Sequence, residues 1–120
     1  MSRWDRRRVG HQFWSIAFTD MPSGDCGACQ PPGTPHKKIL LDRNVKKSDF
    51  LLLSTMLHEA LHATCWALDE EYVERYCIDT ARIIIDMGFT RTGDSIDKIP
   101  FIDYNEACSN TKVIDKEASA

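Results

Sequence analysis

At 120 residues, 42% hydrophobic and 28% charged, the chain has the composition of one ordinary globular domain, with core enough for a single unit and too little for two. A formal net charge of -3 excludes a strongly basic or acidic chain whose bulk charge would name its partner. No apolar run approaches the length of a membrane span, so no membrane partner is expected.

The start, Met-Ser-Arg-Trp-Asp-Arg-Arg-Arg, lacks the uninterrupted apolar stretch of a secretory signal. Five cysteines, an odd number, fit reduced thiols better than a disulfide framework. Both observations lead us to expect a soluble, cytoplasmic protein that is not secreted. Basic clusters at Arg3, Arg6, Arg7 and Arg8 and at Lys37, Lys38, Arg43, Lys46 and Lys47 are within the chemistry of phosphate binding. They lack aromatic interleaving of the single-strand-binding kind, so they read as solvated charges on a terminus and beside a helix start, and nucleic acid is not expected as a partner.

Residues His11 to Asp20, HQFWSIAFTD, are rich in aromatic and β-branched residues, with Phe13, Ser15, Ala17 and Thr19 alternating against Trp14, Ile16 and Phe18, and predict a strand. The next stretch, Met21 to Pro35, holds four prolines and three glycines and reads as a long loop. Lys37 to Asp42, KKILLD, predicts a second strand that pairs back on the first as an N-terminal β-hairpin. Ser48 is placed to cap a helix in which Phe50, Leu53, Leu57, Ala60, Leu61 and Thr64 recur at helical spacing as far as about Trp66. Asp69 then caps a second helix, Glu70 to Met87, with an acidic first turn and a stop at Gly88. Beyond it lies one apolar patch, Ile99 to Ile102, followed by Tyr104 and an irregular C-terminal tail. The expectation is a single α+β domain over residues 1–110, the hairpin packed on two antiparallel helices, with 111–120 a mobile tail.

His58-Glu59-Ala60-Leu61-His62 is an HExxH string inside the first helix, and residues four apart project from one face, so one metal ion can reach both imidazoles. Glu59 lies about 100° around the helix from His58, placed to take a proton from a water on that metal. The expected cofactor is Zn2+, which lowers the pKa of a bound water from about 15.7 to about 7 and polarises a carbonyl. Two protein ligands are too few for catalytic zinc, which takes three. On a wheel of the second helix, Val73, Cys77, Ala81 and Ile84 define the inward face, with Glu70 near its centre, Glu74 beside it and Glu71 about 100° off. Glu70 is the expected third ligand, and Glu74 the expected acceptor for the far ring nitrogen of a ligating histidine. Glu71 and Glu74 remain alternatives for the ligand itself.

Cys65 shares the histidines' face but stands about 10 Å along the axis from His58, too far for the same tetrahedron; Cys65 and Cys77 read as buried small residues. Cys26-Gly27-Ala28-Cys29 has the spacing of half a zinc knuckle, a second metal half-site that His36 and Cys108 are the available residues to complete. Tyr72, Tyr76, Tyr104 and His36 are the candidates to stabilise an oxyanion.

The segment from about Lys37 to Phe89 resembles the small phage and prophage proteins of the zincin class, distantly akin to SprT-like metallopeptidases. The matching residues are Ile39 to Leu41, His58 to His62, Trp66, Asp69-Glu70, Val73-Glu74 and Met87-Gly88-Phe89. This resemblance implies a zincin-like fold and a gluzincin-like zinc metallopeptidase, and it favours Glu70 and Glu74 over Glu71. A protein or peptide substrate is implied, with other phage proteins as further partners, in the host cytoplasm or in association with a virion. The alternative it allows is a non-catalytic zincin-fold module, either a binding protein or a structural part of a virion.

Overall fold

The first strand is one the sequence conceals. Asp5–Val9 (β1), DRRRV, shows no apolar alternation, yet it pairs antiparallel with Gln12–Thr19 (β2), Arg8 facing Phe13 and Asp5 facing Ile16. Gly10 takes φ +67° at the first position of the two-residue turn between them, as a type II′ hairpin requires. This turn abuts the helix that follows in the fold, since a Cβ at Gly10 would lie 3.0 Å from Thr64 Cγ2. The computed structural model describes residues 4–92 and 98–108; the tail expected to be mobile lies outside them.

The expected hairpin between the two apolar strands is not formed. Lys38–Asp42 (β4) runs parallel to β2, with Ile16 beside Ile39 and Phe18 beside Leu41. Between β2 and β4 the proline-rich stretch contains a three-residue strand, Gly27–Cys29 (β3), antiparallel to β4 on its other side. The sheet order is therefore β1-β2-β4-β3. Ile39, Leu40 and Leu41 are all fully buried, so both faces of β4 are covered. An unbroken apolar run of this kind is what a central, often parallel, strand carries, in place of the alternation of a half-solvated hairpin.

A short 3-10 helix, Arg43–Lys47, leads into helix α1, Asp49–Thr64, and a five-residue link, Cys65–Asp69, joins this to α2, Glu70–Asp86. Both starts are capped as the sequence requires: Ser48 Oγ accepts from Leu51 N at 3.1 Å and Asp69 Oδ2 from Tyr72 N at 3.0 Å. The helices are antiparallel, because the Arg82 guanidinium sits 5.0 Å from the Phe50 ring at one end while Glu70 meets His58 and His62 at the other.

Alternation in β2 and β4 divides the core in two. Trp14, Ile16, Phe18, Ile39 and Leu41 face α1, where Leu51, Leu52 and Met56 pack on them. Ala17, Ala28 and Leu40 face the other way, against Ile102 and Ala107. This second face is closed by the C-terminal segment, which is more regular than expected: Phe18 N donates to Pro100 O and Ile102 N to Phe18 O, both at 2.8 Å, before one turn of helix, Tyr104–Ala107 (α3), capped by Asp103. The buried Lys38 Nζ donates to Ala107 O at 2.6 Å and ties α3 to the sheet.

Candidate metal centre

The site is assembled by the antiparallel pairing of the last turns of α1 with the first residue of α2. His58 and His62, one turn apart, place their ring centroids 4.8 Å from each other. Glu70 bridges them: its Oε1 lies 2.5 Å from His58 Nε2 and its Oε2 lies 2.8 Å from His62 Nε2. Potential donor atoms of the three residues all lie within 4.8 Å of one another, the one such group of three among the described residues. His62 is fully buried, its ring centroid 6.3 Å from that of Trp66 in an edge-on arrangement.

Two imidazoles and one carboxylate form a donor set suited to zinc, with ligand distances of about 2.0–2.2 Å. Both Glu70 oxygens are closed off from solvent and accept no hydrogen bond, although each points at an imidazole nitrogen. Buried carboxylate oxygens carry a desolvation cost that a cation shared with the imidazoles would offset. The residues present therefore fit the ion.

Glu59, the neighbour of His58, is only 4% exposed. It lies under strand β3, where a Cβ built on Gly27 would come 3.1 Å from Glu59 Oε2 and 2.9 Å from Leu40 O. Glycine at 27 thus lets β3 pass close over the carboxylate, a function the string CGAC does not advertise. His58 and Glu59 both line a cleft of about 310 Å3 between the helices and the 24–27 segment, with Ser54, Thr55, Glu74 and Cys77 in its wall. Burial, then the charges of Glu59 and Glu70, push the Cys77 thiol up to about 11, so it stays protonated at neutral pH.

The other candidates fall elsewhere. Glu71 and Glu74 are exposed, and Glu74 has no hydrogen bond or ion pair with any described residue; it stands in the cleft wall and not on a histidine's far nitrogen. Cys77 is buried as expected, whereas Cys65 is exposed at the C-cap of α1, because the helix ends there and the link turns outward. Cys26 is exposed while Cys29 is buried in the core beside Ile39. Among the described residues, no group of potential ligands gathers them with His36 or Cys108. Of the oxyanion candidates, Tyr104 packs on the far side of the sheet and His36 is exposed, while Tyr72 and Tyr76 stack on each other on the outside of α2.

No helix among the described residues is long and apolar enough to cross a membrane. Comparison of the chain with protein-family models, with curated proteins and with solved structures gives no match in any of the three.

Proposed function

We propose that this chain is a small zincin-like, zinc-dependent peptidase that cuts an exposed loop or peptide. The observation that carries the reading is the convergence of His58, His62 and Glu70 within 4.8 Å, next to a cleft that also holds Glu59. Zinc held by those three residues supplies an acidified water and a Lewis acid for the scissile carbonyl. Glu59 accepts the proton of the attacking water on a carboxylate oxygen and passes it to the leaving amine. His62, buried against Trp66, fixes the geometry, while His58 borders the cleft by which a peptide enters.

The test joins metal analysis to single substitutions. The purified chain is expected to hold about one zinc; Glu59→Gln keeps that metal and abolishes hydrolysis of a peptide library. His62→Ala loses the metal, and unchanged zinc content in that variant would refute the ligand assignment. The depth of Glu59 beneath β3 favours one second reading, a zincin-like module that binds without cutting, for instance within a virion. A zinc-loaded wild type inert on every peptide selects that reading over the first.

A further inference from the structure

The basic residues of the first strand are not merely dispersed charge. Arg6 and Arg8 are both exposed on β1, two residues apart and so on the same face of the sheet, roughly 6.6 Å from each other along the strand. Folding brings to them an aromatic ring that the linear sequence keeps at a distance: Phe13 pairs with Arg8 across the hairpin, and the guanidinium carbons of Arg6 and Arg8 each lie 5.5 Å from its ring centroid. Phe13 nonetheless remains 50% exposed, because β4 begins opposite Ser15 and leaves no strand on its other side. Arg7, on the opposite face, is neutralised by Asp5 at 3.0 Å. Arg6 and Arg8 have no acidic partner among the described residues, in a chain whose net charge is -3.

We propose that this hairpin is a binding surface for single-stranded nucleic acid. A half-exposed aromatic ring with two unneutralised guanidiniums over it offers π and guanidinium planes on which a base stacks, and positive charge for the phosphates on either side of that base. Neither arginine is charge-compensated within the described protein, so each binds phosphate without first breaking an ion pair. A lipid surface fits the observations less well, since an interfacial element needs an apolar face and Phe13 is the one exposed large apolar residue on this hairpin. Base identity is not read, because stacking accepts any π face and no other group in the arrangement addresses a base edge.

The test is fluorescence anisotropy of the intact protein with a labelled 20-residue oligodeoxythymidine, over a salt series. Binding is expected at low salt. The double variant Arg6→Ala/Arg8→Ala should flatten the slope of log K against log salt by about 1.4, from about 0.7 for each phosphate that is no longer neutralised. Phe13→Leu, which keeps apolar bulk but no π face, should weaken binding about 5- to 150-fold, while Phe13→Tyr retains it. All these side chains are exposed, and circular dichroism checks that each variant is folded. The proposal is overturned if the wild type fails to retain the oligonucleotide at low salt, if the double variant binds as the wild type does, or if Phe13→Leu is neutral. Binding to phosphatidylserine vesicles without binding to the oligonucleotide overturns it equally. Each outcome is independent of zinc content and peptidase activity.

Discussion

The two faces of the sheet are built to different specifications. Towards α1 it presents Trp14, Ile16, Phe18, Ile39 and Leu41, large side chains on which α1 is seated, with α2 packed on α1 and the candidate metal ligands at the junction of the two helices. Away from it the sheet presents two alanines, Ala17 and Ala28, beside Leu40, a shallower surface that a short C-terminal segment and a single helical turn close. One face thus has the bulk to fix the angle and depth of a helix pair, and so the relation of Glu70 to the histidines. The other has little to position and is secured by a few polar ties, chiefly Lys38 to Ala107 and Ile102 to Phe18.

Four measurements bear on that contrast, beginning with the largest effect. Phe18→Ala empties a fully buried site beneath α1 and is expected to cost about 3–5 kcal/mol by urea denaturation, enough to lose the candidate metal centre with the fold; a loss below about 1 kcal/mol would mean the helix face is not the stronger one. Zinc removal by a chelator should lower stability by about 2.7 kcal/mol for a protein held at a hundredfold excess over Kd. By hydrogen exchange the loss of protection should concentrate at the α1–α2 junction and spare β4–α3. Next, Lys38→Met removes the donor to Ala107 and leaves that carbonyl buried, at about 1–2 kcal/mol, with faster exchange at the amides of 107 and 108 and unchanged zinc affinity. The smallest effect is one of pH. Burial holds the Lys38 ammonium below the ordinary lysine value of 10.5, so in the window just under that value the unfolded chain binds more protons than the folded one. Stability contributed by this group therefore rises with pH there, and Lys38→Met should abolish that increment in thermal melts.

The sequence was legible where its signals are local. The i,i+4 spacing of His58 and His62, the capping residues Ser48 and Asp69, and the inward phase of Glu70 are all properties of a few consecutive residues on a helix, and a wheel is enough to read them. What escaped is borne by the backbone or by distant partners. Strand β1 has an exposed arginine at each of three successive positions and is a strand because β2 offers it hydrogen bonds. Strand β3 is three residues within a proline-rich stretch, and it matters through Gly27, whose missing side chain leaves no mark in a pattern of polar and apolar residues. The parallel pairing of β2 with β4 was signalled by the ILL run, but proximity in the chain argued for a hairpin and the fold prefers burial on both sides.

The contact of Gly10 with Thr64 makes the hairpin turn a steric gauge for the end of α1. With a Cβ at position 10 lying 3.0 Å from Thr64 Cγ2, and φ at +67°, any other residue there strains the backbone and requires Thr64 or the turn to give by a few tenths of an ångström. Thr64 stands two residues past His62. The arginine-bearing hairpin and the histidine-bearing turn thereby share a steric limit, approaching each other as closely as they do because position 10 carries no side chain.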